Sequence, residues 1–205
     1  MTEGSVGLRS SVMRVSIPCP GELAVRCWRW CLVACVAVVS WACGPGGDGN
    51  HSTGAQALVT ASRWDAVDEA DDPFSDSKAD DAVCDSLGYL PEDYEGEPAF
   101  FVDTEACDYL TVEQPALIGV AEGDTLHLRL YHYDLTAPDG GQAHLAIAFG
   151  EDTVWEEQVD IPADARMIDT TWQAEQSIEA GDLILFHVNN HGDNNYALIE
   201  LSKTK

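Results

Sequence analysis

Residues 125–133 read TLHLRLYHY, in which leucine alternates with polar or aromatic residues. Successive side chains of an extended chain point to opposite faces, so a period of two marks a strand with one buried side and one wet side. Leu126, Leu128 and Leu130 then face a core, while His127, Arg129, Tyr131 and Tyr133 face outward. His132 falls on the leucine side, where the strand leaves the core.

The same period recurs at Ala143–Phe149 (AHLAIAF), turning Leu145, Ile147 and Phe149 inward and His144, Ala146 and Ala148 outward. AFFVD, DYLTV, ALIGV, TVWEEQV, DLILFHV and YALIEL are further short runs rich in branched and aromatic residues, the composition that pleated strands favour. Turn signals separate them: EGD at 122, PDGG at 138, AGD at 180 and HGDNN at 191. No segment keeps a 3.6-residue apolar period over three turns, and PADARM and WQAEQSIEA are the only, short, helix candidates. Eight or nine strands in about 120 residues predict an all-β fold, an antiparallel β-sandwich of jelly-roll type spanning 84–205.

The outward residues suggest a binding face. DLTAPDGGQ, the connection between the two alternating strands, is short enough to make them sheet neighbours. His127, Arg129, Tyr131 and His144 would then surround a floor of Ala146 and Ala148. Rings beside hydrogen-bonding groups suit a sugar or another polar ligand. The competing reading is an ordinary solvated sheet face. Trp155, Trp172 and Tyr196 are read as core, and His187, which shares a face with Leu183 and Leu185, as packed.

FHVNNHGDNNYALIEL, residues 186–201, concentrates His, Asn and Asp between two apolar runs. Residues tolerant of positive φ explain that composition as a tight β-hairpin. Asp193, Asn194 and Asn195 are also oxygen donors that, with loop carbonyls, suit calcium as a bound ion. Zinc would need three or four converging donors, and His191 and Asp193 supply only two.

The start of the chain is chemically different. Arg26 and Arg29 precede CLVACVAVVSWA, residues 31–42, an apolar run too short to span a membrane and laid out like the core of a secretory signal. The stretch before Arg26 is long for a signal, which makes Met13 a candidate start. SWAC, Ser40–Cys43, resembles a bacterial lipobox, with Ser40 and Trp41 departing from the usual pattern. SWA also suits ordinary signal peptidase. The lipobox resemblance implies removal of 1–42, lipidation of Cys43 and attachment to a membrane. Four of the seven cysteines lie in the removed segment. Lipidation of Cys43 leaves Cys84 and Cys107 as a disulfide pair, at home in an oxidising compartment. Residues 43–83 are rich in Gly and Asp, with nine acidic and two basic residues between Gly44 and Val83. They are expected to form a disordered acidic tether.

The chain holds 36 acidic and ten basic residues. Such a surface repels nucleic acid and anionic headgroups and favours solubility. No G-x-S-x-G nucleophile elbow occurs, both cysteines of the domain are assigned to the disulfide, and no carboxylate pair stands out among so many. The run from EGDTLHLRLYHYDL through AHLAIAFG to AGDLILFHVNNHGDNNYALIEL resembles the jelly-roll accessory modules of secreted bacterial proteins, including carbohydrate-binding modules. With no catalytic set and a tethered sandwich, the chain is read as a non-catalytic module at the cell envelope whose partner is a glycan or other polar ligand. A structural or adhesive envelope protein steadied by calcium, and a hydrolase using two carboxylates, are the alternatives.

Overall fold

The computed structural model describes residues 54–204, apart from Pro138 and His191. The expected signal segment, Cys43, His51 and His191 lie outside the described residues. Among the described residues the chain is all β, with one short 3-10 turn at Ser75–Ser77. Two strands of two residues come first, β1 (Gln56–Ala57) and β2 (Asp65–Ala66). Nine longer ones follow: β3 (Tyr89–Tyr94), β4 (Glu97–Asp103), β5 (Tyr109–Pro115), β6 (Thr125–His132), β7 (Gly141–Phe149), β8 (Asp152–Ile161), β9 (Arg166–Gln173), β10 (Leu183–Asn189) and β11 (Asn195–Thr204).

The strands form two antiparallel sheets packed face to face. The first runs β3-β4-β11-β6-β9, with β1 beside the far half of β11, and the second runs β2-β5-β10-β7-β8. Alternation made this possible: along β6, Leu126, Leu128, Leu130 and His132 are fully buried while His127, Arg129 and Tyr131 are half-buried. The leucines meet Leu145, Ile147, Ile184, Phe186 and Val188 of the second sheet in one core. The expected β-sandwich is therefore observed, and its nine longer strands match the expected number.

Connections differ from expectation. β3–β4 and β7–β8 are hairpins, whereas β6–β7 and β10–β11 cross between sheets. DLTAPDGGQ therefore does not make β6 and β7 neighbours, and Gly192–Asn194 belong to an arch between the two sheets instead of a hairpin turn. A polar turn signal marks where a strand ends but not which sheet the next strand joins. The expected strand ALIGV is a loop pinned by a bridge between Val120 and Ile178. The helix candidates PADARM and WQAEQSIEA contribute their ends to β9.

The larger correction concerns the tether. From Gly54 onward it is part of the domain. β1 pairs with β11, Leu58 is fully buried, and Trp64 packs against Phe100 and Phe186. Residues 67–82 then lie over the outer face of the second sheet, where Phe74 is buried with Tyr109, Ala146, Ala148 and Leu185. Average composition hid this, because a few large apolar residues at the right places can anchor a segment that is otherwise polar. Cys84 and Cys107 are disulfide-bonded, joining the end of this segment to the entry of β5.

Candidate functional site

The outer face of the first sheet carries an aromatic row built by register. Across the sheet, Leu90, Phe101, Ala197, Tyr131 and Met167 stand opposite one another on neighbouring strands. Ala197 is fully buried beneath its larger neighbours. The β3–β4 hairpin turns at Glu95 and Gly96, both at positive φ, and so brings Tyr94 back over the sheet. Tyr94 and Tyr131 have ring centroids 4.9 Å apart, and Tyr131 and Tyr133 lie 5.0 Å apart at 83°. Edge-to-face contact of this kind is favoured by the ring quadrupole. Tyr133 is 42% exposed, so the row ends in solvent.

One step along β6, Arg129 is gripped by Glu97 across the sheet, with Nη1 donating to Oε2 at 2.8 Å and Nη2 to Oε1 at 3.1 Å. These hydrogen bonds hold the Glu97 carboxyl below the usual carboxylate range and raise the guanidinium's pKa further. Glu200 lies 3.7 Å from the same guanidinium. His127 sits 2.8 Å from Asp169 and 3.6 Å from Glu200. Arg129 is thus matched by two carboxylates, and His127 is likewise flanked by two, so neither offers much to an anionic ligand. Beside this network a groove of about 740 Å³ runs between the β1 segment and the Gly96–Pro98 turn, with Glu97, Arg129, Ile199 and Trp64 on its walls.

His127, Arg129 and Tyr131 therefore share one face as expected, and His144 does not join them. It stands on the second sheet, where its Nε2 lies 3.1 Å from Glu156. Its expected neighbours Ala146 and Ala148 are fully buried beneath residues 67–82 and form no open floor. Tyr94, Glu97 and Glu200 complete the face and were missed. The signal for Tyr94 was present in Tyr94-Glu-Gly-Glu97, a two-residue turn with glycine second, the composition of a hairpin.

The residues considered for calcium separate. Asn194 is 1% exposed, and its side-chain amide is occupied at both ends: Oδ1 accepts from Thr136 N at 2.6 Å and Nδ2 donates to Thr136 O at 3.0 Å. It braces the arch and is not available as a ligand. Asn195 is the first residue of β11, and its carbonyl accepts from Tyr133 N. Asp193 is exposed and meets Asp103 and Glu105, with carboxylate oxygens within 4.8 Å of one another. This is a different set from the one read off the sequence.

Under residues 67–82 lies a buried polar cluster. Asp72 Oδ2 accepts from Tyr109 Oη at 2.6 Å and Thr111 Oγ1 at 3.0 Å, while its Oδ1 accepts from Phe74 N at 2.9 Å. Thr111 Oγ1 also contacts His187 Nδ1 at 2.9 Å. Phe74 stacks on the His187 ring at 4.3 Å. Burial drives the His187 pKa down to about 3, helped by nearby His144. His187 is packed, as expected, though beneath the covering segment and not in the main core.

No family model and no curated protein matches the chain. Solved structures with a similar strand layout include a family 28 carbohydrate-binding module specific for non-crystalline cellulose, at 10% identity and TM-score 0.46, covering 73% of this chain and 95% of that one. Another is the K3 adhesin domain of Lys-gingipain from Porphyromonas gingivalis, at 9% identity and TM-score 0.43, covering 74% and 99%. A third is the N-terminal cellulose-binding domain of β-1,4-glucanase C from Cellulomonas fimi, at 16% identity and TM-score 0.35, covering 60% and 92%. The likeness is to the sandwich layout and to nothing finer.

Proposed function

We propose that this chain is a non-catalytic surface module, held at the cell envelope by a lipid on Cys43, that binds an extracellular polar ligand, a glycan, on the outer face of its first sheet. The observation that carries the reading is the Tyr94–Tyr131–Tyr133 row, half-buried at Tyr94 and Tyr131 and open to solvent at Tyr133, beside a charge network that is internally matched. Aromatic faces take the apolar face of a sugar ring, while carboxylates and the remaining donors of Arg129 meet its hydroxyls. The anchor rests on the basic flank, the short apolar run and the lipobox resemblance.

A glycan array on the full mature chain, with and without calcium, tests the binding. Tyr131→Ala and Tyr94→Ala should each abolish glycan signal while the melting temperature stays near wild type. Glycan binding that survives both rules this face out. Calcium-dependent melting without any glycan signal favours the structural alternative, through Asp103, Glu105 and Asp193. Mass spectrometry of the native N-terminus tests the anchor, and an unmodified thiol at Cys43 sinks it.

A further inference from the structure

Residues 67–82 cross the outer face of the second sheet as a strap with both ends fixed. Asp65 and Ala66 pair with β5 just before it, and Cys84 is bonded to Cys107 just after it. Between these points the segment forms turns and no sheet ladder. Asp72 and Phe74 are its only buried residues. Phe74 packs on Tyr109, Ala146, Ala148 and Leu185, and Asp72 accepts from the Tyr109 and Thr111 hydroxyls. A segment anchored at both ends and held down chiefly by two side chains can lift and reseat while the sandwich stays closed.

Both side chains converge on His187. Phe74 stacks on its ring, and Asp72 reaches it through Thr111. Thr111 has one hydroxyl proton and gives it to Asp72, so it accepts at His187 Nδ1 and the neutral ring carries its proton there. Nε2 is then the bare nitrogen, buried and without a partner. A second proton would leave a buried charge whose new N–H finds no acceptor. The titratable and charged groups around the ring come from four elements. Asp72 lies on the strap, as does Lys78, 5.7 Å from the Tyr109 ring of β5. His144 stands on β7, paired with Glu156 of β8. The Leu110 carbonyl favours the charged ring, but burial and His144 outweigh it and bring the pKa down to about 3. That penalty lasts only while Phe74 shuts the ring off from water.

We infer that residues 67–82 are an acid-released strap: protonation of His187 lifts them away and uncovers Tyr109, His144 and His187 around Ala146 and Ala148, while the sandwich stays folded. The device lies on the opposite sheet from the tyrosine face and does not depend on it. The closed strap holds the His187 pKa below its ordinary 6.5, so closure is fully stable above that pH and weakens as pH falls. With 6.5 restored on opening, the ratio of open to closed strap should rise about twentyfold between pH 7 and pH 5.

Hydrogen exchange read by mass spectrometry on the full chain tests this. After correction for the intrinsic pH dependence of exchange, protection of residues 67–82 should fall by that factor, while β6 and β10 keep theirs. His187→Phe should hold the strap equally protected at both pH values. Should that variant lack a folded core, His187→Gln, neutral across this range, takes its place. His144→Gln, which leaves His187 titratable, should retain most of the fall. Phe74→Ala should open the strap already at pH 7, with β6 and β10 still protected. Equal protection of the strap at pH 7 and pH 5 overturns the inference, as does a fall shared with β6 and β10. A fall that persists without His187 moves the trigger to Asp72 or His144 and overturns it too.

Discussion

Gly192 shows how one position of the arch before β11 is fixed. Its φ is 144°, and an added Cβ would meet Thr136 O at 2.6 Å and Asn194 Nδ2 at 2.9 Å. Those are the atoms that hold the arch, since Asn194 bridges both backbone groups of Thr136 and the Gly192 carbonyl accepts from Thr104 Oγ1 at 2.6 Å. Gly192→Ala should therefore destabilise the fold by about 1–3 kcal/mol, from backbone strain and a displaced brace. A denaturant midpoint indistinguishable from wild type would show that the arch yields freely. The sequence marked a break between strands here, but its composition read as a hairpin where the chain crosses from one sheet to the other. It could not distinguish Asn194 as a brace from Asn194 as a metal ligand, because both roles use the same amide oxygen.

Among the elements, residues 67–82 depart most from expectation. They cover the second sheet through Phe74 on His187, Val67 N on Thr111 O, and Asn189 Nδ2 on Ser77 O. Asp72 is the polar centre of that contact, accepting three hydrogen bonds while 8% exposed. Asp72→Ala leaves the Tyr109 and Thr111 hydroxyls without their acceptor, at a cost of about 1–3 kcal/mol. The segment should then open more often, and trypsin should cut after Lys78 earlier than in wild type. Equal cleavage rates would mean that Phe74 alone holds it. A chain cut back to Cys84 would also lack Leu58 and Trp64, both core residues, so the folding unit begins before the disulfide.

Across the whole molecule, the buried histidine links stability to pH. His187 is surrounded by Phe74, by Tyr109 at 5.0 Å, by His144 at 5.2 Å, and by Thr111, which connects it to Asp72. Its pKa falls from 6.5 to about 3 on folding, so the unfolded chain takes up this proton at a higher pH than the folded one. The stability that neutral His187 permits is complete above about pH 6.5 and declines as pH falls toward 3. The melting temperature should drop between pH 7 and pH 4, and His187→Phe, which preserves the stack on Phe74, should flatten that drop. Parallel profiles for the two proteins would remove His187 from the account.

Much of this architecture was legible in period-two alternation alone. Leu126, Leu128 and Leu130 had to share a buried face, so His127, Arg129 and Tyr131 had to share the other, because strand geometry permits no third arrangement. The pairing of Cys84 with Cys107 was expected only through the lipobox resemblance, which sets Cys43 aside and leaves these two, and the structure joins them. Tertiary structure decided which faces met and which were covered. His144 alternates as predicted, but its strand joins the opposite sheet, and the floor of Ala146 and Ala148 beside it lies beneath Phe74. Alternation is a local property of each strand. Sheet membership depends on how the connections cross the core, and the open edge that half-exposes Trp155 and Trp172 exists only once both sheets have ended.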